Sequence, residues 1–77
     1  MPTDLGILLL RLARKVVFHT AEAKRFESGR TANEVAHHRH DASAVAFRAA
    51  MLTVAEVNGH SGTAAARLIE DALRQVA

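Results

Sequence analysis

The chain has 77 residues but no cysteine, tryptophan or tyrosine. Without cysteine it cannot form a disulfide, a thiolate zinc site or a cysteine nucleophile. Aromatic residues make up only 4% of the chain, and the three phenylalanines fit an apolar core pattern, which leaves no aromatic platform for stacking on nucleic-acid bases. The single proline, Pro2, precedes every periodic segment, so no helix breaker interrupts the remainder.

Long apolar runs are absent as well. The run at residues 5–10 is far shorter than the about 20 residues that cross a bilayer. It also precedes its basic residues, which is the reverse of the order in a secretory signal. The net charge is only +2, too small by itself to predict a nucleic-acid partner. We therefore expect a soluble, cytoplasmic protein with no membrane span.

The small size of the chain limits both its stability and its chemistry. It forms at most one domain, and a domain this small buries only about 60% of its unfolded surface. Its stability must come from close helix packing, a metal or a partner subunit. The chain is also short for an enzyme, since a substrate pocket commonly occupies roughly 300–1,000 Å³. We expect a non-enzymatic protein and assign no catalytic or cofactor-binding residue.

Three segments have helical periodicity, at about residues 4–28, 32–57 and 63–75, and no segment alternates like a strand. The second segment opens with Thr31 and Glu34 at capping-box spacing, and Ser61 or Thr63 caps the third. The first carries an apolar seam with alternating spacings of four and three residues: Leu5, Leu9, Leu12, Val16, His19, Ala23 and Phe26. These patterns predict an all-α fold.

The helix lengths predict how the helices are arranged. A tight turn at Gly29 joins the two long helices, which favours an antiparallel hairpin. The shorter third helix can cover only the base of that hairpin, where residues 5–12 and 45–57 are apolar on more than one side. The outer half of the hairpin, residues 19–41, then has no covering helix. We predict that it dimerises into a helical bundle.

The predicted interface follows the seam of this outer half. His19 and His40 lie there among apolar positions, so each is either a hydrogen-bonded packing residue or a proton-sensitive switch. A switch would change the oligomeric state between about pH 7.5 and 5.5. The predicted interface residues are Val16, His19, Ala23, Phe26, Val35 and His40.

Four of the five histidines lie in the outer half. On the second helix Glu34, His37, His38 and Asp41 form one stripe, and Glu-x-x-His is the ligand spacing of di-iron helical bundles. The first helix offers His19 at about the same level. Glu34, His37, Asp41 and His19 are therefore candidate metal ligands. The alternative is a solvated face stabilised by acid–imidazole pairs.

The leading hypothesis is a small non-enzymatic helical interaction or assembly protein. It forms a homo-oligomer, with a dimer favoured, and binds a protein partner through the outer half of the hairpin. A first alternative is a nucleic-acid-binding regulator that uses Arg11, Arg14 and Lys15 on the basic face of the first helix. A second is an oligomeric metal-binding bundle built on the Glu34 and His37 stripe.

Overall fold

The computed structural model of the chain describes residues 4–27 and 33–77. These residues form three helices, α1 (Asp4–Arg25), α2 (Glu34–Val57) and α3 (Gly62–Val76), and no strand. The predicted all-α fold of three helices is therefore confirmed. Helix α1 ends three residues before its predicted end, because Phe26 and Glu27 already form a turn.

Helices α1 and α2 pack together as an antiparallel hairpin. His19 on α1 lies opposite His40 on α2, whereas Ala23, further along α1, lies opposite the earlier His37. Near the tip of the hairpin, the Asn33 N–H donates to the Phe26 carbonyl at 2.9 Å. The apolar seam predicted on α1 therefore faces α2.

Helix α3 packs on the base of the hairpin. The core joins all three helices, with Leu9, Ala13 and Val16 from α1, Met51 from α2, and Ile69 and Ala72 from α3. Met51 is the largest fully buried side chain, with 0% of its surface exposed. At about 1.5 Å per residue, the 15 residues of α3 span roughly 22 Å, so α3 leaves the outer half of the hairpin uncovered.

Several apolar residues expected in the core are exposed. The first turns of α1 are not covered on every side, because Ile7 and Leu8 remain exposed. Phe18 is 55% exposed, so the prediction that all three phenylalanines lie in the core is wrong for this residue. On α2, Val45 and Val57 are exposed too. The reason is that a single short helix can cover only one flank of the hairpin.

The start of α2 also differs from the prediction. Thr31, the predicted cap, lies outside the described residues, and the N-cap is Asn33, whose side-chain Oδ1 accepts the Ala36 N–H at 3.0 Å. Asparagine caps a helix at least as well as threonine. Glu34 is the first helical residue and pairs with His38. At α3 the N-cap is Ser61, which makes no side-chain capping bond.

We predict that Asn33→Ala lowers the free energy of unfolding by about 1 kcal/mol, because the Ala36 N–H loses its acceptor. Chemical denaturation monitored by circular dichroism measures this change. Asn33→Asp is the matched control, since a carboxylate accepts the same hydrogen bond and should preserve stability. Equal losses in both variants would contradict the capping role.

We predict that Met51→Ala lowers the free energy of unfolding by about 2–5 kcal/mol, since it leaves a cavity where the three helices meet. Val57→Ala, at an α2 position that is 81% exposed, should change stability by less than about 0.5 kcal/mol. Thermal unfolding of both variants checks the difference. Comparable stabilities would show that Met51 does not anchor the core.

Candidate functional site

The outer half of the hairpin is held together by a pair of histidines. The Nδ1 atoms of His19 on α1 and His40 on α2 lie 2.8 Å apart, which is hydrogen-bond distance. One ring must carry a proton on this nitrogen and the other must not, because a hydrogen bond needs one donor and one acceptor. The pair therefore requires at least one neutral imidazole.

Phenylalanines hold both rings of this pair in place. The Phe47 ring stacks on His19 with centroids 5.6 Å apart, and the Phe26 ring stacks on His40 at 5.8 Å. Phe18 presents an edge-to-face geometry to both imidazoles, at 5.1 Å from His19 and 6.2 Å from His40. We call these five residues the aromatic–histidine cluster. Its stacking limits the rotation of the imidazoles.

A third histidine, His37, connects α2 to α1 closer to the tip of the hairpin. The His37 Nδ1–H donates to the Ala23 carbonyl at 2.7 Å. Near the C-terminus of α1, the Glu27 N–H bonds to Lys24 instead of Ala23. This leaves the Ala23 carbonyl available, as expected for a carbonyl in the last turn of a helix. His37 thus acts as a capping group for α1.

An open cleft runs beside the histidine pair, with a volume of about 460 Å³. Among the described residues that line it, Arg39 carries the only formal charge, and none is acidic. None of its residues belongs to α3, so the cleft lies on the uncovered part of the hairpin. We call it the outer cleft; it is lined by His19, Asn33, Val35, Ala36, Arg39, His40 and Ser43.

The candidate metal ligands are not brought together. Glu34 pairs with His38 at 3.7 Å, and His37 turns toward the α1 backbone. Asp41 lines a different groove, beside Val16, while His19 bonds to His40. Within residues 4–27 and 33–77, no group of three or more His, Cys, Asp or Glu side chains is arranged to hold a metal ion. The stripe is divided because its members face different neighbours.

The predicted interface residues have different exposures. Val16 and Ala23 are buried between the helices of a single chain, so they offer little surface to a partner. His19, Phe26 and His40 are partly buried in the aromatic–histidine cluster. The sixth residue, Val35, is 66% exposed on the edge of the outer cleft. The interface itself stays a prediction, and its accessible part is the outer cleft.

The three basic residues of the nucleic-acid alternative are all exposed on α1. Arg11 and Arg14 form no ion pair with the described residues. The Lys15 Nζ lies 5.6 Å from the centroid of the Phe47 ring, a cation–π arrangement that draws Lys15 toward the aromatic–histidine cluster. Only Arg11 and Arg14 therefore project freely from this face.

Sequence reasoning missed the aromatic–histidine cluster as a unit. The signal was present, since His19 and Phe26 are seven residues apart on one side of the hairpin, and His40 and Phe47 are seven apart on the other. Residues seven apart lie on the same helix face. In an antiparallel hairpin these two pairs interleave, which places each histidine beside a phenylalanine.

No protein-family model matches the chain, and no curated protein or solved structure is significantly similar to it. Among the described helices, none combines the length and the apolar character required to cross a bilayer. The geometry of the outer half is therefore the main guide to function.

We predict that His40→Ala lowers the free energy of unfolding by about 1 kcal/mol, the contribution of one hydrogen bond. The substitution removes the hydrogen-bond partner of His19 and the ring that stacks on Phe26.

Urea denaturation measures this change. His38→Ala is the control and should change stability by less than about 0.5 kcal/mol, because His38 is exposed on α2. Equal losses in both variants would contradict a stabilising role for the histidine pair.

Proposed function

We propose that the chain is a small non-enzymatic helical interaction protein that oligomerises and binds a protein partner through the outer half of its hairpin. The observation that supports this proposal is the outer cleft. It is open, it lies where α3 does not reach, and it combines apolar and cationic surface. Such an uncovered surface on a small domain is typical of a recognition site.

The residues of the outer cleft indicate the chemistry of the partner. Val35 and Ala36 at its edge provide apolar surface for an aliphatic side chain. Arg39 supplies a cation that forms no ion pair with the described residues. A partner segment with an aliphatic residue and a neighbouring carboxylate fits this arrangement, and the carboxylate would bind the guanidinium.

A nucleic acid is the second candidate partner, because Arg11 and Arg14 are exposed on one face of α1 and form no ion pair with residues 4–27 or 33–77. A phosphate backbone would bind there through charge alone, so its affinity should fall steeply as salt is raised. The outer cleft lies elsewhere on the hairpin, which allows the two candidates to be tested separately.

We predict that Arg39→Glu abolishes capture of a specific protein by the immobilised chain from a lysate of the source organism, since it reverses the charge of the outer cleft. The matched control is Arg67→Glu on α3, an exposed arginine far from the cleft, which should leave capture unchanged. The measurement is the set of captured proteins identified by mass spectrometry at near-physiological salt.

Protein binding through the outer cleft would be contradicted by a set of captured proteins that is the same for the wild type, Arg39→Glu and Arg67→Glu. Capture of nucleic acid that is lost in the double variant Arg11→Glu, Arg14→Glu but retained in Arg39→Glu would support the nucleic-acid candidate.

A further inference from the structure

The outward face of α2 lacks the charges that a solvated helix face normally carries. Between Ala42 and Ala55 the only charged residue is Arg48, and its guanidinium reaches Glu70 of α3 at 2.8 Å. The remaining outward positions in this stretch are uncharged. Val45 is 64% exposed and Leu52 is 43% exposed.

These outward residues follow the spacing of a helix-packing seam. Alternating steps of three and four residues connect seven exposed positions, which we call the outward seam: Val35, His38, Ala42, Val45, Ala49, Leu52 and Glu56. This is the spacing that lets two helices pack along their length. The seam that α1 uses inside the hairpin has the same spacing, but no helix among residues 4–27 and 33–77 covers the outward seam of α2.

We propose that a second copy of this chain packs on the outward seam, with the two α2 helices antiparallel. The outward seam contains two sets of positions, and each set repeats every seven residues. In an antiparallel pair, a residue of one set packs against a residue of the other set in the second copy. Here one set has small residues, Ala42 and Ala49, and the other has larger ones, Val45 and Leu52. Ala42 then lies opposite Leu52 of the second copy, and Val45 opposite Ala49. Large side chains meet small ones in both layers, which is the condition for close packing.

Hydrogen-bond complementarity selects the same orientation, since an imidazole N–H can donate to a carboxylate. The register that pairs Val45 with Ala49 also places His38 of one copy opposite Glu56 of the other, at both ends of the seam. A parallel pair would instead bring Glu56 against Glu56 and His38 against His38. It would also stack Leu52 on Leu52 and leave Ala49 facing Ala49. The antiparallel pair is twofold symmetric, so the same surface serves both copies.

This inference rests on the proposed function in one respect, because it requires that the protein oligomerises. It identifies the outward seam as the surface through which two copies associate. The outward seam is distinct from the outer cleft, apart from Val35, which borders both. Self-association and partner binding can therefore be removed independently. Arg39→Glu tests the outer cleft, and changes at Val45, Ala49 or Leu52 test the seam.

Disulfide cross-linking tests the seam directly, because the natural chain has no cysteine. Val45→Cys and Ala49→Cys chains are prepared separately, mixed in equal amounts as folded protein and oxidised. We expect a cross-linked dimer in the mixture and little in either chain alone, since a disulfide needs Cα atoms closer than about 7 Å. Efficient cross-linking of each chain with itself, or none in the mixture, would overturn the antiparallel arrangement.

Sedimentation equilibrium provides the second test. We expect the wild type to sediment as a species of twice the 8.3 kDa chain mass, and Ala49→Glu to weaken the dimer at least tenfold. Ala66→Glu is the matched control, an exposed alanine on α3 that should leave the dimer intact. Circular dichroism verifies that both variants stay helical. A monomeric wild type, or equal dimerisation of both variants, overturns the proposal, whatever the result for Arg39→Glu.

Discussion

The mismatch in length between the helices determines how the molecule is organised. Helix α3 has 15 residues, whereas α1 has 22 and α2 has 24. Because α3 is short and amphipathic on one face, it can build a core only at the base of the hairpin. Among the described residues, those beyond that level are stabilised by contacts between α1, the turn at Phe26 and α2. The histidine and phenylalanine rings meet this need, because two helices bury too little apolar surface to hold together on packing alone.

Alanines contribute several of the buried residues at the base. Ala13, Ala55 and Ala65 are completely buried, so the helix backbones approach each other closely. Small side chains at the contacts also leave little apolar area to bury, which limits the stability of a single chain. An outward-facing apolar seam on α2 is consistent with this limit, since association would add buried area that the chain cannot provide internally.

Much of the fold could be predicted from periodicity. The three periodic segments were sufficient to predict the number, type and approximate length of the helices. The α2 cap could not be identified, because Thr31 and Asn33 are both good N-cap residues and only the backbone geometry distinguishes them. The exposure of Phe18 could not be predicted either, since it depends on which flank of the hairpin α3 covers. That choice is made by tertiary packing, which local spacing does not encode.

The candidate site was less predictable than the fold. Sequence spacing identified His19 and His40 as unusual residues on an apolar seam, but the bond between them depends on the register of two helices joined by a turn. The metal hypothesis failed to gain support for a related reason. One helix face places Glu34, His37 and Asp41 near one another, yet each side chain turns toward a different neighbour once α1 is present.

The burial of Met51 has a consequence for the chemistry of its sulfur. Thioethers react with peroxide when the oxidant can reach them, and the product is a polar sulfoxide. With 0% of Met51 exposed, the reaction must wait for the three helices to separate. The rate at which this thioether is oxidised therefore reports how often the three helices transiently separate.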